Sequence, residues 1–174
     1  RNQDQKSRDY SNIMNTYRPG HADYTFDAKY GFRDYRGGGR SSGRETIGRV
    51  AAGAVACKIL ESLGIQVMAY TKSIGPVSIP EQDYDYSVIT DNTLYMPNNQ
   101  YAEKASAYLE ECIRPQDSSG GIIECRVDHM PAGIGETVFE KLDANLAKAM
   151  MSIGAVKGFE IGDGFQAAKA SGSQ

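Results

Sequence analysis

The chain has 174 residues, of which 40% are hydrophobic and 24% are charged, so it is long enough for one domain with a sizeable core. Its formal net charge of −3 opposes nucleic-acid binding by the chain as a whole. No apolar run approaches the roughly 20 residues of a membrane span, and the first residues, RNQDQK, show no signal-peptide pattern.

Residues 18–41 are predicted to form a long loop. Pro19 disfavours a helix in the residue before it, and the glycine run at 37–39 permits turns that a Cβ would forbid. Residues 18–49 hold seven basic and four acidic side chains, a net charge of +3, so the remainder carries −6. A locally positive stretch on an acidic chain favours a small anionic ligand over a polyanion. A nucleic-acid binder that uses this arginine- and tyrosine-rich stretch is therefore the least favoured alternative.

A helix is predicted to begin at Ser42. Ser42 and Glu45 have capping-box spacing, so the Ser42 hydroxyl is expected to accept from the N–H of Glu45 while the Glu45 carboxylate reaches back. Free N–H groups and the helix dipole attract an anion, and Arg40 and Arg44 flank the same place. The sequence therefore predicts a phosphate or carboxylate site at this helix start, with a plain structural turn as the alternative.

The same helix is predicted to run to about Ser62 and to end at Gly64. Its stretch VAAGAVAC at 50–57 is apolar or small on every face, which predicts a helix buried on all sides in a middle layer. The three cysteines lack paired spacing and are predicted to be buried free thiols of a reducing cytosol; they are Cys57, Cys112 and Cys125.

Hydrophobic patterns predict the elements that follow. They are a strand at 65–71, an irregular connection at 72–99, a helix at 100–113, a strand at 122–128, a helix at 137–152 and a strand at 155–161. The order is a loop, largely within residues 1–41, and then three helix–strand units across residues 42–165. We expect a single mixed α and β domain over 1–174, with helices packed against sheet.

Several kinds of site are not supported. The glycine run has neither Walker P-loop nor dinucleotide-binding spacing, which argues against an NTPase or a Rossmann dehydrogenase. No cluster has metal-ligand spacing, so we expect no metal, and no Ser–His–Asp arrangement is indicated. His21 lies between Arg18 and Asp23, where it is either a solvated side chain or a proton carrier. His129 is predicted to be structural or solvent-facing.

Four strings in one order resemble the chorismate synthase family. They are RPGHADYTFDAKYG at 18–31, DYRGGGRSSGRET at 34–46, RVAAGAVA at 49–56 and GIGETVFEKLDANLAKAMMSIGAVKGFEIGDGF at 133–165. Gly43 stands where the family usually has Ala, and Gly154 where many members have Asn. Members of the family are much longer, so the resemblance implies that the chain is an internal core fragment.

The resemblance implies an α+β sandwich, with long helices between outer antiparallel sheets. It implies an anti 1,4-elimination of phosphate from 5-enolpyruvylshikimate 3-phosphate, a step towards aromatic amino acids that yields chorismate and needs reduced FMN. His21 matches the histidine at the flavin, which protonates or polarises the reduced ring. Substrate contacts carry over to Arg18 and Arg44. FMN contacts carry over to Arg40, Ser41, Ser42, Gly154 and Ala155.

The family further implies a cytoplasmic homotetramer, with NADP as an associated nucleotide and no membrane or nucleic-acid partner. Because family site residues lie outside this chain, we expect the 174-residue piece to turn over poorly or not at all. The alternative hypothesis is a core module that binds flavin phosphate or another anion without catalysis.

Overall fold

The structure, a computed structural model, describes residues 11–173. The chain groups into two compact units: one combines the described residues up to Val55 with those from Ala132, and the other is Ala56–Pro131. The helices and strands are α1 (Asp23–Tyr30), α2 (Thr46–Ser62), β1 (Gln66–Ile74), β2 (Val77–Ser78), α3 (Asn99–Ile113), β3 (Gly121–Asp128) and α4 (Leu142–Met151). None of these helices is long and apolar enough to cross a membrane.

The unit Ala56–Pro131 contains a three-stranded antiparallel sheet in the order β2-β1-β3. The predicted strands at 65–71 and 122–128 are confirmed as β1 and β3, whose register pairs Val67 with Val127 and Tyr70 with Glu124. Because side chains alternate along a strand, these two pairs lie on opposite faces of the sheet. Tyr70 is buried at 2% exposure, whereas Val67 and Val127 are exposed.

The apolar core of this unit comes largely from the segment predicted to be an irregular connection. Its buried cluster consists of Ile79, Met96, Ala102 and Ala105. α3 confirms the helix predicted at 100–113 and supplies the two alanines. The side chain of Asn98 caps α3 by accepting from the N–H groups of Gln100 and Tyr101. The segment 72–99 is therefore largely irregular, as predicted, but it also contributes buried side chains to the core.

Helix α2 confirms the helix predicted from Ser42, although the α-helical part begins at Thr46 after a 3-10 turn at Gly43–Glu45. The predicted burial on all sides is wrong for the described chain, since none of its residues is buried. Val50 is 71% exposed and Val55 is 62% exposed. Burial requires a second apolar layer, and no part of residues 11–173 covers these side chains.

Three other expectations differ from the structure. α1 lies inside the predicted loop at 18–41; its apolar residues form no helical stripe, so its pattern gave no signal. α4 begins five residues later than the predicted helix at 137–152. The predicted strand at 155–161 is wrong, since no strand forms there, and the third helix–strand unit is therefore incomplete. A strand requires hydrogen bonds to a neighbouring strand, and residues 155–161 form no such ladder within the described chain.

The described cysteines are free, as predicted. They are not deeply buried, however, because Cys57 and Cys112 are half-buried and Cys125 is exposed. Cys125 lies on the same face of β3 as Val127, where partial burial and the neighbouring Cys57 of α2 raise the pKa of its thiol.

Candidate functional site

His21 is carried by a tight turn that leads into α1. The N–H of His21 donates to the carbonyl of Arg18 at 3.3 Å, and Gly20 takes the left-handed φ of 73° that this turn requires. The imidazole of His21 is exposed. α1 ends at Gly31, whose φ of 74° and N–H bond to the carbonyl of Asp27 form a left-handed C-cap.

Asp23, the first residue of α1, is buried at 6% exposure beneath this turn. Its carboxylate accepts three hydrogen bonds from Arg18: from the backbone N–H at 3.1 Å, from Nε at 2.9 Å and from Nη2 at 3.0 Å. These hydrogen bonds hold the pKa of Asp23 down at about 2, although burial opposes the shift. The carboxylate is therefore ionised at neutral pH and paired with a guanidinium.

Arg33 is the second cation at this carboxylate. Its Nη1 lies 3.2 Å from Oδ2 of Asp23, as an ion pair without a directed hydrogen bond. Its Nη2 donates to three backbone carbonyls within 2.8–3.1 Å, those of Ile13, Met14 and Thr16. The guanidinium also lies 4.8 Å from the ring centre of Tyr17. These contacts make Arg33 a locally paired charge.

The glycine run forms a turn around the side chain of Arg44. Nη2 of Arg44 donates to the carbonyl of Gly37 at 3.2 Å, and a Cβ on Gly37 would overlap this guanidinium. Ser42 caps the 3-10 turn as predicted, but its hydroxyl accepts from the N–H of Arg44 at 3.3 Å instead of from Glu45. The N–H of Glu45 donates to the Ser42 carbonyl at 3.1 Å.

Donors suited to an anion remain at this turn. The backbone N–H groups of Gly39, Arg40 and Gly43 make no hydrogen bond within residues 11–173. Arg40 is exposed in the same part of the chain. The Ser41 hydroxyl instead donates to the carbonyl of Gly38 at 2.6 Å. Three amides and one guanidinium are therefore available here as donors to an anion.

Arg49 connects α2 to the end of α4. Its Nη2 donates to the carbonyl of Ser152 at 3.0 Å and lies 3.2 Å from the Ser152 hydroxyl. Two residues later come Gly154 and Ala155, the second segment predicted to contact flavin. Ala155 has a left-handed φ of 69°, which is uncommon outside glycine, whereas a Cβ on Gly154 would meet nothing within 4 Å.

The predicted site residues all belong to the unit that combines residues up to Val55 with those from Ala132. Both predicted substrate arginines are held by local partners, Arg18 by Asp23 and Arg44 by Ser42 and Gly37. The sequence gave Asp23 no site role, and its five-residue spacing from Arg18 was the available signal for their pairing. His129 is exposed and lies in the other unit.

Neither unit contains a histidine, cysteine and carboxylate cluster that could hold a metal ion among the described residues. The charged groups brought together are instead arginines and carboxylates, with donor N–H groups beside them. Such an arrangement can hold an anion and can position an imidazole beside it.

Comparison with known proteins gives the same family throughout. The family model described as chorismate synthase matches residues 1–174. A chorismate synthase of Agathobacter rectalis is 67% identical over 171 residues, which are 98% of this chain and 47% of that protein. A chorismate synthase of Lachnoclostridium phytofermentans is 64% identical over 173 residues, which are 99% of this chain and 47% of that protein.

A solved structure described as "Crystal Structure of Chorismate Synthase" has a TM-score of 0.78 and 34% sequence identity, covering 87% of this chain and 50% of that chain. The chain thus spans about half the length of the curated relatives it matches. The mixed helix and strand fold and the sequence agree, and the chain belongs to the chorismate synthase family.

Proposed function

We propose that the protein containing this chain converts 5-enolpyruvylshikimate 3-phosphate to chorismate and phosphate, with reduced FMN bound. The observation that carries this proposal is family membership over the whole chain, at 67% identity to a named chorismate synthase. The reaction is a 1,4-elimination: one C–H bond and one C–O bond break, a proton and phosphate leave, and one new C=C bond forms. It is a lyase reaction without net redox change.

The FMN phosphate fits the donors at the glycine turn. Arg40, Ser41 and Ser42 belong to the segment proposed to hold it, together with the N–H groups of Gly39 and Gly43, which make no hydrogen bond within the described part of the chain. Gly154 and Ala155 form the second proposed flavin segment, and the contact between Arg49 and Ser152 ties it to α2. When bound, reduced FMN supplies electron density that favours departure of the phosphate.

The substrate carries carboxylates and a phosphate, so its binding requires fixed positive charge. We assign Arg18 and Arg44 to this task, because a guanidinium fork matches the geometry of both groups. Each is oriented in advance by local bonds, Arg18 by Asp23 and Arg44 by Ser42 and Gly37. Arginines that are already oriented lose less conformational entropy when the anion binds.

His21 is proposed to hold or deliver the proton at the flavin. Its imidazole is exposed at the end of a turn that Arg18 closes, so the ring is accessible to a bound group. Histidine is the side chain whose charge ordinarily changes near neutral pH, which suits a proton carrier.

The finer features of the fold and the assembly are part of the same proposal. An α+β sandwich would place α2 between two sheets and cover the apolar side chains that are exposed in the described chain, such as Val50 and Val55. We propose a single domain, a homotetramer and a cytoplasmic location for the complete protein, with NADP associated. The 174-residue piece is proposed to turn over poorly, because the resemblance places further site residues of the family outside it.

An assay of the complete protein with reduced FMN under anaerobic conditions tests the proposal. Phosphate and chorismate should appear in equal amounts, and no turnover with fully reduced flavin would overturn the assignment. A non-catalytic flavin module would bind FMN in the same preparation and release no phosphate.

Flavin titration tests the proposed cofactor segment separately. A double variant, Arg40→Ala with Ser42→Ala, should weaken FMN binding by about 30-fold or more, because a charge-assisted phosphate contact and the cap are lost. Arg36→Ala is the matched control, since the Arg36 side chain is 62% exposed and pairs with Asp34 only at 3.8 Å. Equal affinities for the wild type and the double variant would refute the assignment of Arg40 and Ser42.

A further inference from the structure

Asp23 is a buried charge whose role the anion site does not explain. It is the one carboxylate among the described residues that is buried, at 6% exposure, and it does not belong to the glycine turn. Burial of a carboxylate is unfavourable unless partners compensate for the lost water. The chain provides those partners from two sides, through Arg18 and Arg33.

The bonds from Arg18 close a short ring of chain around His21. Both the backbone N–H and the guanidinium of Arg18 donate to the Asp23 carboxylate, so the two ends of a six-residue segment are tied by three hydrogen bonds. His21 lies inside that segment, and its own N–H donates to the Arg18 carbonyl. The path of the backbone at His21 is therefore fixed by a group two residues away.

Arg33 connects the Asp23 carboxylate to the chain before and after the His21 turn. It pairs with Asp23 at 3.2 Å and with Asp27 at 3.7 Å, and it binds the carbonyls of the segment that precedes the turn. Its side chain is only 8% exposed. Loss of the Asp23 charge would leave two guanidinium groups near one another without the carboxylate between them.

We propose that Asp23 is a positioning residue, which holds the guanidinium of Arg18 and the His21 turn in one arrangement and acts on the substrate only through them. This inference rests on the proposed function, since it assigns Arg18 to the substrate and His21 to the proton. It adds a residue to which the sequence resemblance gave no role.

The test is an Asp23→Asn variant of the complete protein, with Asp27→Asn as the matched control. Asp27 lies one turn further along α1, its side chain is 30% exposed, and it contacts Arg33 only at 3.7 Å. Asn retains the size of Asp but loses the charge that holds two arginines. We expect the KM for the phosphate ester substrate to rise about 30-fold and the pH–rate profile to move, because displaced groups weaken catalysis steeply.

Asp27→Asn should leave KM within about twofold of the wild type, as is usual for substitutions away from such contacts. The Kd for FMN should stay within about threefold in both variants, since the glycine turn is not altered. A merely structural role would lower the active fraction, and therefore kcat, without moving KM or the pH profile. Unchanged KM and pH profile in Asp23→Asn would overturn the inference.

A second readout does not depend on turnover. The rate at which diethyl pyrocarbonate modifies His21, followed by peptide mass spectrometry, should change about threefold or more in Asp23→Asn and remain at the wild-type rate in Asp27→Asn. If the wild type is inactive but Asp23→Asn still changes the rate of His21 modification, the proposed function is refuted and the positioning role of Asp23 is retained. If Asp23→Asn does not fold, Arg33→Lys takes its place, and an unchanged His21 rate in that variant would refute the role.

Discussion

Each compact unit contains a carboxylate held by cations and donors, and the two differ in how the chain builds them. In the unit with the candidate site, Asp23 is paired with Arg18 and Arg33, which are its neighbours in sequence. In the other unit, Glu124 on β3 accepts from Lys72 at 2.6 Å and from the hydroxyl of Tyr70, both on β1 and more than fifty residues away.

The surroundings of the two carboxylates differ as well. Every buried hydrophobic residue among those described lies between Ile65 and Ala105, in the unit with the sheet. The unit with the candidate site has Asp23 as its buried side chain and is held by polar contacts. A sheet register and an apolar core therefore position Glu124, whereas the bonds of Asp23 themselves define the local fold. Sites that must receive a ligand are commonly built from such less stable segments.

Removal of core volume should give the largest effect and show where apolar packing matters. Met96 is fully buried in the cluster of the sheet unit, so Met96→Ala should lower the free energy of unfolding by about 3 kcal/mol. Met14 in the site unit is 49% exposed, and Met14→Ala should cost less than about 0.5 kcal/mol. Urea denaturation of both variants measures the difference. Similar losses would contradict the contrast between the two units.

Acid should weaken the Asp23 arrangement over a defined pH range. The pKa of Asp23 is about 2 in the fold and 3.8 in an unperturbed chain, so its contribution is complete above pH 4 and is lost as the pH falls through 2. The contribution amounts to about 2 kcal/mol, since the side chain is only 7% exposed. Wild type should therefore lose more stability than Asp23→Asn between pH 5 and pH 2, by about that amount in urea titrations.

The network on the sheet should contribute somewhat less when its charge is removed. Burial alone would raise the pKa of Glu124, but hydrogen bonds from Lys72 and Tyr70 outweigh it and the net shift is downward. Glu124→Gln should cost about 1.5 kcal/mol, because the Lys72 and Glu124 side chains are 28% and 34% exposed and solvent screens the pair.

Two further variants test the predicted cost of removing the Glu124 charge. Glu110→Gln on the exposed side of α3 is the control, expected within about 0.5 kcal/mol of the wild type. Tyr70→Phe should cost about 1 kcal/mol by leaving one oxygen of Glu124 without its hydroxyl donor. A loss in Glu110→Gln equal to that in Glu124→Gln would show that the cross-strand network adds nothing.

The sequence predicted those elements whose signals are local. β1, α2, α3 and β3 appear where alternation or helical spacing placed them, and Gly64 ends α2 with a φ of 80°. α1 was missed because its side chains show no apolar stripe and it is held by the charges of Asp23 and Arg33. Charge pairing of this kind leaves little trace in hydrophobic periodicity.

The site was predictable as a set of residue types but not as a set of contacts. The glycine turn, the Ser42 cap and the neighbouring arginines followed from spacing, whereas the donor to the Ser42 hydroxyl proved to be Arg44 instead of Glu45. The wrong strand at 155–161 and the wrong burial of α2 were both predicted from apolar patterns. Such a pattern indicates that burial or pairing is favourable, but it does not show which part of the protein would be the partner.

The smallest expected effect decides whether such a layer exists in the complete protein. A Cβ on Gly48 of α2 would meet nothing within 4 Å, so Gly48→Ala should stabilise the 174-residue chain by about 0.7 kcal/mol through helix propensity. In the complete protein, the proposed sandwich brings another layer against α2, and the same change should destabilise by about 1 kcal/mol through overpacking.

Gly37→Ala is the control for that comparison, because it has a φ of 131° and its Cβ would overlap Arg44, so it should destabilise both proteins. Urea denaturation of the four variants against their parents gives the signs. Stabilisation by Gly48→Ala in both proteins would refute the sandwich and leave α2 as an open helix. Opposite signs would show that the apolar surface of α2 is covered by the part of the protein outside this chain.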